Sequence, residues 1–345
     1  MMSSLQRLSN LEALRIISIL LILSMHIYSQ VPYDSMNELN QFVGIFINSI
    51  GNTGVTCFVL LSGYFGVKFK KERFIQLILL TTFYSIFVNI VNNEFTINND
   101  LLKAFLIIPL YKNWFITCYL ILMLLSPFIN NFLDQLSQKE YRKLILILLI
   151  VFSILPTAFN TPYHTILSDG GKCLTYFVFI YMIGKYIRNF KDITVKRSRA
   201  IILLIISTTI ICTLNIIAER ILGKKVYVYA MDCSPFILFS SIIIFYLFKS
   251  FNFQKKWINY LSSSILAVYL LDGLRLPIDK HLFLLNTMGD KNFMFIWLLL
   301  EIIAVFFCAT IIDKIRILSL SNIENKTIKI ILKTYELLNF NKHLR

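Results

Sequence analysis

The sequence predicts an all-α, polytopic membrane bundle of about ten transmembrane helices with both termini in the cytoplasm. Three observations predict it. Hydrophobic residues make up 57% of the 345 and charged residues only 15%, where a soluble domain carries about 25% charged residues; the mean hydropathy is +0.69. Apolar segments recur along the whole chain at close to the ~20 residues that a membrane span needs. With the N-terminus placed in the cytosol, 25 of the 34 lysines and arginines fall on the inner side, as the positive-inside rule requires.

Taken in order, the first apolar run covers 11–29 and contains LEALRIISILLILSMHIY. The second, 42–66, carries the small residues Gly51, Asn52, Gly54 and Thr56 and then Ser62-Gly63-Tyr64, the composition that lets membrane helices approach closely. Spans follow at 74–91, 114–134, 143–160, 172–187, 200–218, 234–249, 257–275 and 292–313. The apolar stretch 101–110 (LLKAFLIIPL) is too short to cross and is expected to lie at the interface or to re-enter. No polar stretch is long enough to form a soluble domain. The transmembrane domain is therefore 1–313, followed by a tail, 314–345, in which Ile323, Ile328, Ile331, Leu332, Tyr335 and Leu338 alternate with Lys326, Lys329 and Lys333. That pattern predicts a basic amphipathic helix on the inner membrane surface.

The same one-sided distribution explains the net charge of +15 without a nucleic-acid partner. Glu12 and Arg15 interrupt what would be the apolar core of a signal peptide, so the first span is expected to remain in the protein. The six cysteines are scattered and form no metal-binding spacing. Cys173 and Cys233 both fall near the outer surface, where a disulfide is chemically allowed.

Ionisable residues inside a span are expensive and therefore mark function by default. The first span holds three: Glu12, Arg15 and His26. At about 100° and 1.5 Å per residue, Arg15 and His26 share a face and lie about 16 Å apart along the axis. Glu12, three residues before Arg15, shares that flank. Lys68, Lys70, Lys71 and Arg73 follow the second span; they serve topology, and they also offer cations to a phosphorylated cytosolic ligand. Asn113-Trp114-Phe115 opens the fourth span, where Trp114 is an interfacial anchor or a contact for an external substrate. His164 and Asp169 lie in an outer loop. Asp272 and Arg275, at i and i+3 near the end of the ninth span, are spaced to pair. Glu301 lies deep in the tenth span, with His26, Arg15 or Arg275 as partner.

These pieces, in this order, resemble the acyltransferase 3 family of membrane O-acyltransferases. The resemblance covers nearly the whole chain. Its opening motif is an arginine, ten residues and a histidine, preceded by an acid: here Glu12, Arg15 and His26, with Glu12 where the family usually has aspartate. VTCFVLLSGYFGVKFKKERF (55–74) contains the family's Ser-Gly-aromatic signature as Ser62-Gly63-Tyr64. NWFITCYLILMLLSPFIN (113–130), IGKYI (183–187) and IDKIRILSL (312–320) are also similar. One departure stands in SSSILAVYLLDGLRLP (262–277), where Asp272 occupies a position at which the family commonly has histidine.

The resemblance implies a cell-membrane enzyme that passes an acyl group, usually acetyl, from cytosolic acyl-CoA to a hydroxyl of an envelope or exported polysaccharide, or of its lipid-linked precursor. Acyl-CoA is then a co-substrate, with no tightly bound cofactor and no metal. His26 is expected to be the general base or a transient acyl carrier. Arg15, oriented by Glu12, is expected to hold a CoA phosphate or the thioester region. Lys68, Lys70, Lys71, Arg73, Ser62 and Tyr64 complete the expected donor set. Trp114, Asp272, Arg275 and Glu301 form the expected acceptor set. The rival reading is a transporter or flippase for a glycan, which buried charges in a ten-span bundle also suit; such proteins more often show internal repeats or paired broken helices.

Overall fold

Helix α1 (Ser9–Tyr28) is the hub around which the other helices assemble. Its apolar residues are distributed almost all round, and Leu11, Leu14, Ile19, Ile22, Leu23 and Ile27 are buried on several sides at once, as a helix central to a bundle requires. Glu12 stands in its first turn and His26 in its last, each at the end of the helix dipole that favours its charge.

The computed structural model describes residues 7–92, 113–159, 169–222 and 227–343. The protein is 84% helical, with no strand among the described residues. After α1 come α2 (Glu38–Gly51), capped by the Asn37 side chain accepting from the Asn40 amide, and α3 (Thr53–Phe65); together they form one candidate span. Then follow α4 (Lys71–Asn92), α5 (Trp114–Gln135) and α6 (Gln138–Leu149), which starts at a Ser137–Glu140 capping box and runs on through a π-helical stretch, Ile150–Ile154, and a last α-turn to Ala158. Next are α7 (Leu174–Phe190), α8 (Arg197–Leu222) and α9 (Pro235–Lys249). The chain closes with α10 (Lys256–Ser262), α11 (Ile265–Leu270) and the 50-residue α12 (Met294–His343). Against α1 pack α2, α3, α9, α10, α11 and α12.

Every one of the ten apolar segments in the sequence is helical in the structure. Among the described residues, eight helices are long and apolar enough to cross a membrane. The segment around 257–275 is a ninth only as a bent pair, Lys256–Leu270 and Asp272–Phe283, at 71°. Helix α7 has 17 residues, at the lower limit of the usual spanning range if it stands upright. The tail does not fold as a separate helix: α12 continues unbroken past residue 313. The stretch 101–110 and His164 lie outside the described residues.

The outer surface confirms the solvent. Helix α8 exposes Ile201, Ile202, Ile205 and Ile206, and α12 exposes Ile296, Leu299, Leu300 and Ile303. Apolar patches this continuous are not stable facing water, whereas lipid accepts them at no cost.

Two family-like motifs turn out to be one helix crossing. A Cβ on Gly63 would collide with the Tyr181 carbonyl, and a Cβ on Gly184 with the Leu60 carbonyl; the two glycines face each other where α3 meets α7. Small residues at such a crossing let backbones touch. Asn130 of α5 ties the junction: it donates to the Val67 carbonyl at 3.0 Å and accepts from the Tyr181 hydroxyl at 2.8 Å and the Lys185 ammonium at 3.0 Å. Midway along the long helix, Asp313 takes hydrogen bonds from Tyr84 (2.5 Å) and Arg316 (3.0 Å), and Arg316 reaches Glu324 at 2.6 Å. The IDKIRILSL segment thus clamps α12 to α4.

Candidate active site

Both predicted ionisable ends of α1 face cavities, and the cavities differ. Arg15 lines one of about 290 Å³ with Arg7, Ser62, Arg73 and Tyr119. His26 lines another of about 330 Å³ with Trp114, Lys172, Asp232, Asn48 and Asn52. Ile22, Phe115 and Tyr269 line both. These three side chains are therefore the partition between them. Phe115 is held edge-on by Phe177, and tilted against Tyr269, at 5.3 Å between ring centroids in each case. The Tyr269 hydroxyl donates to Asn113 Oδ1 at 2.9 Å. The NWF motif thus supplies the partition, its anchor and, through Trp114, a wall of the His26 cavity.

His26 does not stand alone. Its Nδ1 lies 3.0 Å from Asp272 Oδ2. An ionised carboxylate only accepts hydrogen bonds, so the proton of neutral His26 belongs on Nδ1 and the lone pair on Nε2. That is the tautomer of a general base. Asp272 also accepts from the Arg275 guanidinium, so the predicted i, i+3 pair forms as well, while its Oδ1 has no partner among the described residues. The position arises from a break in the ninth apolar segment. Between Leu270 and Asp272 the chain bends by 71°, and at Gly273 it comes so close to α4 that a Cβ would strike Val88. Non-helical backbone at membrane depth is tolerated where protein or a cavity receives it.

At the other end, Arg15 pairs with Glu12 at 3.3 Å and lies over the Phe65 ring at 5.8 Å. Glu12 is buried and Arg15 is about one-third exposed to its cavity. Arg7 and Arg73 bring two more guanidiniums to the same space, whose planar forks suit phosphate. The other expected donor-side residues are dispersed. Lys68 and Lys70 are exposed on the linker before α4. Lys71 stacks over Tyr335 at 4.6 Å. Tyr64 faces away from Arg15: its hydroxyl donates to Asp192 at 2.9 Å, under the Arg188 guanidinium. It lines a separate cavity with Lys196, Arg197 and Lys249. Asp192, in the connection after α7, has its carboxyl held below the usual range mainly by the hydrogen bond from Lys249, with Tyr64 adding to it.

Glu301 is fully buried and accepts from Gln30 Nε2 at 3.4 Å; its Oε2 has no partner among the described residues. Neither His26 nor Arg15 reaches it, so it belongs to neither cavity wall. No disulfide joins Cys173 to Cys233, and no cluster among the described residues has the donors for a metal ion.

Sequence reasoning did not foresee Arg7, Phe115 and Tyr269 as site residues, nor Asp232. Tyr269 and Phe115 stood inside recognised motifs, but as aromatic residues in apolar runs they carried no signal of their own.

A lipid-embedded helical bundle with a His–Asp pair opening on one cavity and an arginine-lined cavity behind it defines a membrane group-transfer protein. A family profile described as "Acyltransferase domain" matches residues 8–313, and the chain belongs to that acyltransferase family. No curated protein and no solved structure matches the chain.

Proposed function

We propose that the protein is a multi-pass O-acyltransferase of the cell membrane that moves an acyl group, by default acetyl, from cytosolic acyl-CoA to a hydroxyl of an envelope or exported glycan. One observation carries the reading. On a single helix, a base-competent histidine and a phosphate-competent arginine open into two cavities that share Ile22, Phe115 and Tyr269 as a common wall.

The positive-inside bias supports a cytosolic Arg15 cavity, the side on which acyl-CoA would be supplied. Arg15, Arg7 and Arg73 would bind its phosphates, with Glu12 fixing the Arg15 fork. The flexible arm of the donor would carry the thioester toward the partition, covering part of the ~16 Å between Arg15 and His26. The glycan hydroxyl would enter the His26 cavity. His26 Nε2 would take its proton as the oxygen attacks the thioester carbonyl. The tetrahedral intermediate then collapses, expelling the thiolate, and the imidazolium proton goes to that sulfur. Asp272 would hold the tautomer and stabilise the imidazolium, with Arg275 donating to the Asp272 carboxylate. Direct transfer needs no acyl-histidine, because both cavities reach the same three side chains.

The broken ninth segment is a feature that glycan transporters share, so the test separates the two. Membranes carrying the protein are incubated with acetyl-CoA labelled in the acetyl group, and glycan is isolated. Label on glycan that is lost in His26→Ala supports the enzyme. Glycan movement without label would overturn it.

A further inference from the structure

Asp232 has no assigned role. It lies in the connection between α8 and α9, is 4% exposed, and lines the His26 cavity. Its Oδ1 has no hydrogen-bond partner among the described residues. A buried carboxylate oxygen without a donor is costly, and a protein keeps one where a ligand supplies the donor.

The surroundings hold Asp232 in place by its backbone and leave its Oδ1 without a hydrogen bond. The Tyr176 hydroxyl, itself fully buried, donates to the Asp232 carbonyl at 2.6 Å. The next amide, Cys233 N–H, donates to the Gly170 carbonyl at 3.2 Å. A tight turn presses on the same residue. Asp169, Gly170 and Gly171 have φ of 41°, 65° and 95°, and a Cβ on Gly171 would collide with Asp232 Cβ. Three successive left-handed residues, one of them not glycine, are a strained arrangement of the kind that persists at ligand sites.

The remaining wall says what the ligand must bring. Asn48 donates its side-chain N–H to the Gly44 carbonyl at 2.9 Å and Asn52 to the Ala230 carbonyl at 2.5 Å, which leaves their amide oxygens for a ligand. Ser29 spends its hydroxyl proton on the His26 carbonyl at 2.7 Å. With His26 Nε2 and the Asp232 carboxylate, the cavity offers a ligand several acceptors, beside the Lys172 ammonium on the same wall. A ligand suited to it is a donor: a neutral sugar with adjacent free hydroxyls, lying against Trp114.

We infer that Asp232 is an acceptor-binding residue that takes the hydrogen bond of a sugar hydroxyl neighbouring the one His26 deprotonates. This rests on the acyltransferase reading. The consequence is that the enzyme selects sugars with a free neighbouring hydroxyl.

The test uses full-length protein in membranes, labelled acetyl-CoA, and the glycan fraction extracted from the cells in which the gene naturally resides, added at increasing concentration. Asp232→Asn keeps the shape and replaces one carboxylate oxygen by a donor. The expected result is a rise of tenfold or more in KM for glycan, with kcat at saturating glycan within about threefold of wild type and KM for acetyl-CoA unchanged. Tyr176→Phe removes the bond to the Asp232 carbonyl and leaves the carboxylate; it should lower thermal stability and move the glycan KM less than Asp232→Asn does. An unchanged glycan KM in Asp232→Asn overturns this inference alone. Absence of label from the wild-type protein overturns the acyltransferase reading and this one with it.

Discussion

His26 Nδ1 and Asp272 Oδ2 approach to 3.0 Å across 246 residues of sequence. This contact changes the meaning of both residues. In the proposed mechanism His26 is a base with a fixed tautomer, and Asp272 is its orienting partner.

Asp272→Asn is the direct test of that contact. An amide would donate to Nδ1 through its NH2 or accept through its oxygen with no charge, so the tautomer and the imidazolium lose their support. Acyl transfer should fall by about 10²-fold or more, within the range that general-base catalysis contributes. KM for acyl-CoA should stay near the wild-type value. Steady-state kinetics on labelled acetyl-CoA checks both.

Arg15 should show the opposite split. Removing a charged hydrogen bond to phosphate costs about 2 kcal/mol, or roughly thirtyfold in affinity. Arg15→Ala should therefore weaken acyl-CoA binding while CoA analogues still protect the protein from heat at high concentration. Arg15→Lys should recover only part, because a point charge cannot replace a planar fork. Glu12→Gln should fall between, since it loosens the fork without removing it.

At the α3–α7 crossing the expected loss is in stability. Gly63→Ala and Gly184→Ala each force a methyl group into a backbone carbonyl, and overpacking of this kind costs about 1–3 kcal/mol. Detergent-solubilised protein should unfold at a lower temperature in both variants. KM for acyl-CoA in the surviving fraction should be unchanged, because the signature that contains Gly63 serves as a packing joint there.

The spans were legible because lipid imposes a composition on every residue that faces it; the ten apolar segments are helical, but the second is a pair of helices and the ninth is broken by a 71° bend. The Arg15–His26 stripe was legible because charge in a span is rare. Asp272 could be matched from sequence only to Arg275, three residues on, since a contact to α1 depends on how the ninth segment breaks, and hydropathy does not change at Leu271. Glu301 was matched to cations, but its observed partner is the neutral Gln30, which carries no charge signal. The partition was illegible for a related reason: Phe115 and Tyr269 look like any aromatic in an apolar run until two cavities meet at them.

Asp192 supplies a pH dependence. Its carboxyl is held below the ordinary value by Lys249 and Tyr64, so the joint between the ends of α3 and α9 is intact above the unfolded pKa of about 3.9. It weakens as pH falls through the lower folded value. Thermal stability of the wild type should exceed that of Asp192→Asn at neutral pH, and the two should converge on acidification below about pH 4. Because Asp192 is half exposed, the gap should be small and should shrink in salt. A gap that widens on acidification would show that the contact works in the opposite sense.

The partition yields the prediction that bears most directly on how the two sides are coupled. Water in the His26 cavity competes with a sugar hydroxyl for any acyl group that reaches the base. Phe115 meets Phe58, Phe177 and Tyr269 around the divide, so truncating it opens the wall that the two cavities share. Phe115→Ala should join them, and acetyl-CoA should then be hydrolysed without glycan at a rate well above wild type, read as free CoA thiol. Tyr269→Phe keeps the ring and loses only the bond to Asn113, so it should leak far less. If the thioester were instead consumed wholly on the Arg15 side, hydrolysis in Phe115→Ala would be no faster than wild type. Adding His26→Ala to Phe115→Ala separates the remaining cases: loss of the extra hydrolysis assigns it to the His26–Asp272 base, and its persistence assigns it to water entering an unplugged donor cavity.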